Sequence, residues 1–298
     1  MQECEGVRKD ITSINLSMMS YEWWSKKHEL YPNIQFPGSH YSYQKGGFNF
    51  AQLLDANHAF GGKAFIGGNL VHQDDSYKRR YEEIPHGIVR RIIRKGSDKD
   101  TTTESFRKES SKIWQVIAQE HGKGLPSLSQ YGDDTWEWTI RREFFEHFVS
   151  RAAHLLDLAL SSSDSDHNNK KIDRSKLKSI AEASAWLEAA RLNDDISNDS
   201  PAIWKNLGLA YMNIVRNDEI KFPSVKDLFK DTENSFLLEN VRKDVWWDEN
   251  DTKDWKAWAS IRWQISWGHF LEMESAKNDP SYEKVKEIYN MVLKSMGK

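Results

Sequence analysis

The chain has 298 residues, of which 38% are hydrophobic and 29% are charged, and its formal net charge is −3. That length supports one large domain or two moderate domains with a packed core. The small negative charge argues against a nucleic-acid-binding protein, and a single cysteine, Cys4, excludes an internal disulfide and a cysteine-rich zinc site. No run approaches the roughly 18 apolar residues typical of a membrane span.

Residues 1–100 are predicted to form a small α/β layer. Residues 11–17 alternate apolar and polar side chains, which predicts a strand. Helices are predicted at 22–30 and from Phe50 towards Gly61-Gly62, followed by a buried strand at 63–70. The order strand, helix, helix, strand favours a sheet with a parallel component.

Residues 84–95 are compatible with two kinds of element. Ile88, Val89, Ile92 and Ile93 have helical spacing, whereas their β-branched side chains and the preceding Pro-x-Gly favour a strand. We prefer the strand.

Residues 101–298 are predicted to form a helical domain. Residues 161–171 (SSSDSDHNNKK) are too polar to be buried and are interpreted as a linker. The candidate helices are 104–121, 134–160, 174–192, 200–216, 225–230, 252–277 and 280–296.

One motif indicates the kind of helical array. Trp204-x2-Leu207-Gly208-x2-Tyr211 matches the first helix of a tetratricopeptide repeat. In such a repeat the glycine lets the partner helix approach, and the three large side chains fill the groove between the helices. Because no repeat of fixed length follows, the prediction is an irregular tetratricopeptide-like array, and an unrelated helical hairpin is the alternative.

The motifs that carry chemistry are few. Asp74-Asp75 follows a predicted strand and could hold a divalent metal, although a solvated turn is the simpler interpretation. Of three Asn-x-Ser/Thr triplets, Asn250 lies in a polar loop and is the favoured glycosylation site if the chain is luminal. Asn15 lies in the presumed buried strand, and the triplet at Asn198 is weakened by Pro201. No catalytic, cofactor-binding or metal-binding residue is predicted.

The N-terminal third carries a resemblance to a known family. Its segments, in order and spacing, resemble the transmembrane protein 260 family, and residues 136–216 are similar but less specific. The segments are Met1–Ile11, Ile14–Trp24, Tyr31–Gly38, Phe50–Asn57, Asp75–Tyr81 and Pro85–Gly87.

The resemblance implies a large endoplasmic reticulum protein that O-mannosylates folded extracellular domains of receptor type. Its N-terminal part would be a multi-span glycosyltransferase that uses dolichol-phosphate mannose. Its C-terminal part would be a luminal α/β element followed by tetratricopeptide-like helices. This chain matches only the part after the last membrane span, and the strand and Gly-Asp turn expected before the counterpart of Met1 are missing.

The expected function follows from the absence of the membrane-spanning part in this match. Catalytic acids of such enzymes lie on luminal loops between membrane helices, so none is carried over and no activity is expected from this chain alone. A role in acceptor recognition or in folding of the parent enzyme is favoured. The membrane would be reached only through the missing N-terminal part, and the isolated chain is expected to be soluble. The alternatives are a free-standing tetratricopeptide-like scaffold that binds a protein partner, and an α/β enzyme using Asp74 or Asp75 with a metal.

Overall fold

A computed structural model describes most of the chain, which divides into two compact units. Unit 1 comprises Met1–Ile84 and Val89–Asp98, and unit 2 comprises Pro85–Ile88 and Lys99–Lys298. The described residues are 12–42, 46–67, 74–96, 103–121, 131–161, 173–217, 220–230, 241, 245 and 254–295. All but the first residue of the predicted linker 161–171 therefore lies outside them, as does Asn250.

The first part of the chain consists of short elements. The α-helices are α1 (Leu16–Met19) and α2 (Phe50–Ala56), and 3₁₀ helices cover Glu22–Leu30, His58–Gly62 and Ser76–Arg79. The strands are β1 (Ala64–Ile66), β2 (Tyr81–His86) and β3 (Val89–Arg94).

The strand predicted at residues 11–17 is wrong, because α1 begins at Leu16. The side chain of Asn15 accepts a hydrogen bond from the backbone N–H of Met18 and so acts as the N-cap of this helix. Asparagine competes for backbone hydrogen bonds in this way, which favours a helix start over an extended strand. The helix predicted at Glu22–Leu30 is a 3₁₀ helix.

The sheet has three strands in the order β1-β3-β2. β1 pairs with β3 in antiparallel register, with Ala64 opposite Ile92 and Ile66 opposite Arg90. The predicted parallel component is therefore wrong. The strand preferred at 84–95 is confirmed, but as parts of two strands that meet at Gly87, whose φ of +65° suits glycine. Such a short connection permits only antiparallel pairing.

The core of unit 1 is rich in aromatic side chains. Tyr41, Phe48 and Tyr77 are buried together with Met19 and Leu54. α2 begins with a capping box: Asn49 accepts from the backbone of Gln52, and the Gln52 side chain accepts from the backbone of Asn49. Local caps and aromatic packing hold a unit whose regular elements are short.

Unit 2 is an array of helices, which confirms the predicted helical second part. The helices are α3 (Thr103–His121), α4 (Trp136–Ser161), α5 (Arg174–Asn193), α6 (Asp195–Asn198), α7 (Pro201–Arg216), α8 (Val225–Phe229), α9 (Trp255–Glu272) and α10 (Tyr282–Ser295). The helix predicted at 252–277 ends at Glu272, and a 3₁₀ helix follows at Glu274–Asn278. The finer assignment to tetratricopeptide-like packing stays a prediction.

α5 is the central helix of unit 2. Every residue from Ser179 to Ala190 is buried, so this helix has no solvent-facing side over three turns. It packs mainly against α4 and α7, and α7 packs against α9. Five of the buried α5 residues are alanines, whose small side chains let the neighbouring helices approach closely.

In the described part of the chain, no helix combines the length and the apolar character that crossing a bilayer requires.

Candidate functional site

The two acids predicted as a surface site, Asp74 and Asp75, lie in different environments in the structure. Asp74 is only 1% exposed. Its Oδ2 accepts hydrogen bonds from the Tyr41 hydroxyl at 2.6 Å and the Phe50 N–H at 2.7 Å, and its Oδ1 accepts from the Ser76 N–H at 2.8 Å. The prediction of a surface position is therefore wrong for Asp74, because its carboxylate is buried against the start of α2 and both of its oxygens accept hydrogen bonds.

Asp75 lies on the surface, and its carboxylate forms an ion pair with Lys78 one turn further on. Among the described residues, no group of three or more histidine, cysteine, aspartate or glutamate side chains is placed to hold a metal ion. The two neighbouring acids therefore face different surroundings: Asp74 fits a structural role in the core, and Asp75 fits a solvated turn.

Unit 1 presents a surface of large apolar side chains. Tyr21 and Trp23 are 57% and 43% exposed, and their rings stack nearly parallel, with centroids 6.1 Å apart and planes at 14°. Met18 and Leu30 are also exposed on the same short segment. We call Tyr21 and Trp23 the exposed aromatic surface.

Side chains of the same segment point inward and hold this surface in place. Trp24 is 6% exposed, and its ring lies 5.6 Å from that of Tyr31. Because Trp24 directly follows Trp23, the buried ring of Trp24 holds the backbone from which the exposed ring of Trp23 projects. Exposed apolar surface on a fixed backbone is typical of a site that contacts another molecule.

The four residues predicted to pack in a repeat lie on α7. Leu207 and Tyr211 are fully buried and Trp204 nearly so. A Cβ on Gly208 would overlap the indole ring of Trp267 on α9, and the Nε1 of that indole donates to the Lys205 carbonyl at 3.1 Å. The glycine therefore permits close approach of α7 and α9.

Tyr211 leads to a buried ionic cluster that the sequence analysis missed. Glu188 on α5 is fully buried and accepts hydrogen bonds from Tyr211 at 2.9 Å, from Arg191 at 2.6 Å and from Arg262. We call these four residues the Glu188 cluster. Burial opposes ionisation of Glu188, but attraction to Arg262 and Arg191 outweighs it and holds the pKa of Glu188 below its ordinary value. Burial, and then the charge of Glu188, raises the pKa of Tyr211.

A second buried cluster surrounds Glu182, which precedes Glu188 by six residues on α5. Arg151 is fully buried and donates to Glu182 at 2.6 Å and, through Nε, to Ser110 at 3.1 Å. The guanidinium of Arg151 lies 4.3 Å from the ring centroid of Trp186. Arg107 also pairs with Glu182, at 3.3 Å. The buried carboxylates of α5 are thus balanced by Arg191 of the same helix and by arginines from α3, α4 and α9.

A sequence signal for these clusters exists. Glu182 and Glu188 interrupt the run EASAWLEAA, whose other members are small or apolar. An acidic residue in a run that apolar neighbours bury on every side must find a cationic partner. The identity of that partner is not visible from the run itself.

Comparison with known proteins gives two informative relatives. The chain is 28% identical over 166 residues to "Protein O-mannosyl-transferase tmem260" of Dictyostelium discoideum, a match that covers 55% of this chain and 19% of that protein. It is 28% identical over 167 residues to "Protein O-mannosyl-transferase TMEM260" of Mus musculus, covering 53% and 22%. No protein-family model and no solved structure gives a significant match.

The match thus spans about a fifth of the length of these curated relatives. The resemblance inferred from the N-terminal segments is confirmed: over about half of its length, the chain is homologous to the TMEM260 protein O-mannosyl-transferases.

Proposed function

We propose that this chain is the luminal C-terminal region of a protein O-mannosyl-transferase of the endoplasmic reticulum, and that it binds the protein acceptor. The observation that carries the proposal is the similarity to two O-mannosyl-transferases from distant species over more than half of the chain. Sugar transfer from dolichol-phosphate mannose is assigned to the membrane-spanning part of the parent protein. The acceptor class is a folded extracellular domain of receptor type.

The exposed aromatic surface is the part of unit 1 best suited to contact an acceptor. It lies within the segments that carry the family resemblance. Tyrosine and tryptophan are enriched among the residues that dominate binding energy at protein interfaces, because they provide large contact areas with few rotatable bonds. The stacked pair Tyr21 and Trp23 has this composition and is exposed.

The buried acids of unit 2 do not have the environment of a general acid. A general acid needs a pKa raised towards the working pH. Glu188 has the opposite environment, since two arginines hold its pKa low. Glu182 likewise accepts from Arg151 and Arg107 inside the helical array. Both carboxylates act as counter-ions within the fold.

The test uses the full-length parent enzyme with a labelled mannosyl-phosphate-dolichol donor and a receptor-type domain as acceptor. Trp23→Ser and Tyr21→Ser should raise the KM for the acceptor about thirtyfold, since loss of a strong interface residue costs about 2 kcal/mol, and should leave kcat unchanged. Val116→Ser, which alters an exposed apolar residue of unit 2, is the matched control and should change neither parameter.

Two results would contradict the proposal. An unchanged KM in both variants would remove the exposed aromatic surface from acceptor binding. Transfer of labelled mannose by the isolated 298-residue chain would show that catalysis does not need the membrane part.

The second candidate function is a free-standing scaffold for a protein partner. It is favoured by the exposed isoleucines Ile261 and Ile265, which lie one turn apart on α9 and are 58% and 46% exposed. Sequencing of the transcript distinguishes the two candidates: membrane spans in frame upstream of Met1 support the enzyme region, and an in-frame stop codon there supports the scaffold.

A further inference from the structure

We infer that Asn15 is an N-glycosylation site. Asn15-Leu16-Ser17 has the Asn-x-Ser spacing that N-linked glycosylation requires. In a buried strand over residues 11–17, as predicted from the sequence, this triplet would be inaccessible. The structure instead places Asn15 and Ser17 on the surface, in the turn that starts α1. The inference rests on the proposed function, which places the chain in the lumen.

The two polar atoms of the Asn15 carboxamide have different roles: the oxygen accepts hydrogen bonds, and the nitrogen donates none within the described residues. Its Oδ1 accepts from the Ser17 hydroxyl at 2.7 Å and from the Met18 N–H at 3.3 Å. Its Nδ2, the atom that carries the sugar in an N-linked glycan, donates to no residue in the described part of the chain. The cap of α1 therefore depends on the oxygen alone.

Glycan attachment changes only the Nδ2 atom of Asn15. In the transfer, Nδ2 loses one proton and forms a bond to the anomeric carbon of a lipid-pyrophosphate-linked oligosaccharide. The bond from that carbon to the pyrophosphate oxygen breaks, and the lipid pyrophosphate leaves with the electron pair. Oδ1 remains an acceptor in the product, so the modified residue can still cap α1. The fold thus tolerates the modification at this position.

The other triplet within the described residues has a different environment. Asn198 is half-buried at the end of α6, and its carbonyl accepts from the Trp204 indole at 2.6 Å. Pro201 follows its serine directly and begins α7. Asn198 therefore provides a control position that should stay unmodified.

The experiment compares the full-length parent protein with the 298-residue chain directed to the lumen by an appended signal peptide. Both carry an added reporter triplet of known occupancy, and both are expressed in eukaryotic cells. Treatment with peptide N-glycosidase F in ¹⁸O water converts each glycosylated asparagine to labelled aspartate, which peptide mass spectrometry locates. Asn15→Asp and Ser17→Ala both remove the acceptor but keep an oxygen cap, and Asn198→Asp is the control.

We expect labelled aspartate at position 15 in both proteins. The label should be retained in Asn198→Asp and lost in Ser17→Ala. Asn15→Asp has no acceptor nitrogen, so its intact mass should be lower by one glycan. An unlabelled Asn15 beside a labelled reporter in the signal-directed chain would overturn the inference and leave the proposed function intact. A different result would overturn the luminal placement: label at Asn15 in the signal-directed chain, but no label at Asn15 or at the reporter in the parent protein. In that case Asn15 would not be glycosylated in the natural protein.

Discussion

The two units bury acidic side chains in different ways. In unit 1, Asp74 accepts hydrogen bonds from one tyrosine hydroxyl and two backbone N–H groups. In unit 2, Glu188 is surrounded by the guanidinium groups of Arg191 and Arg262 and by one tyrosine hydroxyl. Neutral donors thus contribute to holding the buried carboxyl group of Asp74, whereas two guanidinium groups hold that of Glu188.

The difference follows from the length of the elements. Short helices and turns leave many backbone N–H groups without partners, and those groups are available to a carboxylate such as Asp74. Long helices use their backbone groups internally, so a carboxylate on the buried helix α5 depends on side chains, from its own helix as for Arg191 and from other helices as for Arg262. We therefore expect removal of an acid to have different consequences in the two units.

The largest effect is expected for Glu188→Ala. It leaves Arg191 and Arg262 without their shared counter-ion in the interior, which costs about 3–5 kcal/mol for a buried pair. The unfolding of unit 2 should shift to much lower denaturant concentration, as measured by the hydrogen exchange of α5 and α7. Glu272→Ala, at an exposed position near the end of α9, is the control and should change little. A small effect of Glu188→Ala would show that the Glu188 cluster is not a stabilising ion network.

Gly208→Ala is expected to have the next largest effect. The added methyl group would overlap the Trp267 ring and force α7 and α9 apart, at a cost of about 3 kcal/mol. Thermal unfolding followed by tryptophan fluorescence measures the loss. In Gly268→Ala the new Cβ would lie 3.2 Å from the movable Tyr289 hydroxyl, so this variant should lose far less stability. Equal losses in the two variants would argue against close packing at Gly208.

Asp74→Ala should have the smallest effect of the three and should act on unit 1. It leaves the Tyr41 hydroxyl and the N–H groups of Phe50 and Ser76 without their acceptor, at a cost of about 1–3 kcal/mol. Hydrogen exchange should increase in α2 and around residue 76, while α5 stays protected. The matched control is the neighbouring Asp75→Ala, which removes only an exposed pair with Lys78. Faster exchange in both units would refute the view that each unit stabilises its acids separately.

Sequence reasoning succeeded where the signal is local. The helices of unit 2 follow from apolar periodicity and from caps such as Pro201 at the start of α7. The sequence-based prediction failed at residues 11–17, because an alternating pattern of seven residues is too short to outweigh the capping side chain of Asn15. It also failed on the direction of pairing in the sheet, because the hairpin at Gly87 joins strands that had been interpreted as one.

The sequence by itself determined the described helices of unit 2 and the Trp204 motif, since both depend on residues close together in the chain. It also carried the resemblance to the TMEM260 proteins. Only the tertiary structure decided which groups neutralise the buried acids and which asparagine is exposed. Arg262 is 74 positions from Glu188, and Tyr41 is 33 positions from Asp74. The physical reason is that burial of an acid creates its need for a partner, and that, apart from the nearby Arg191, the packing of distant elements brings that partner to it.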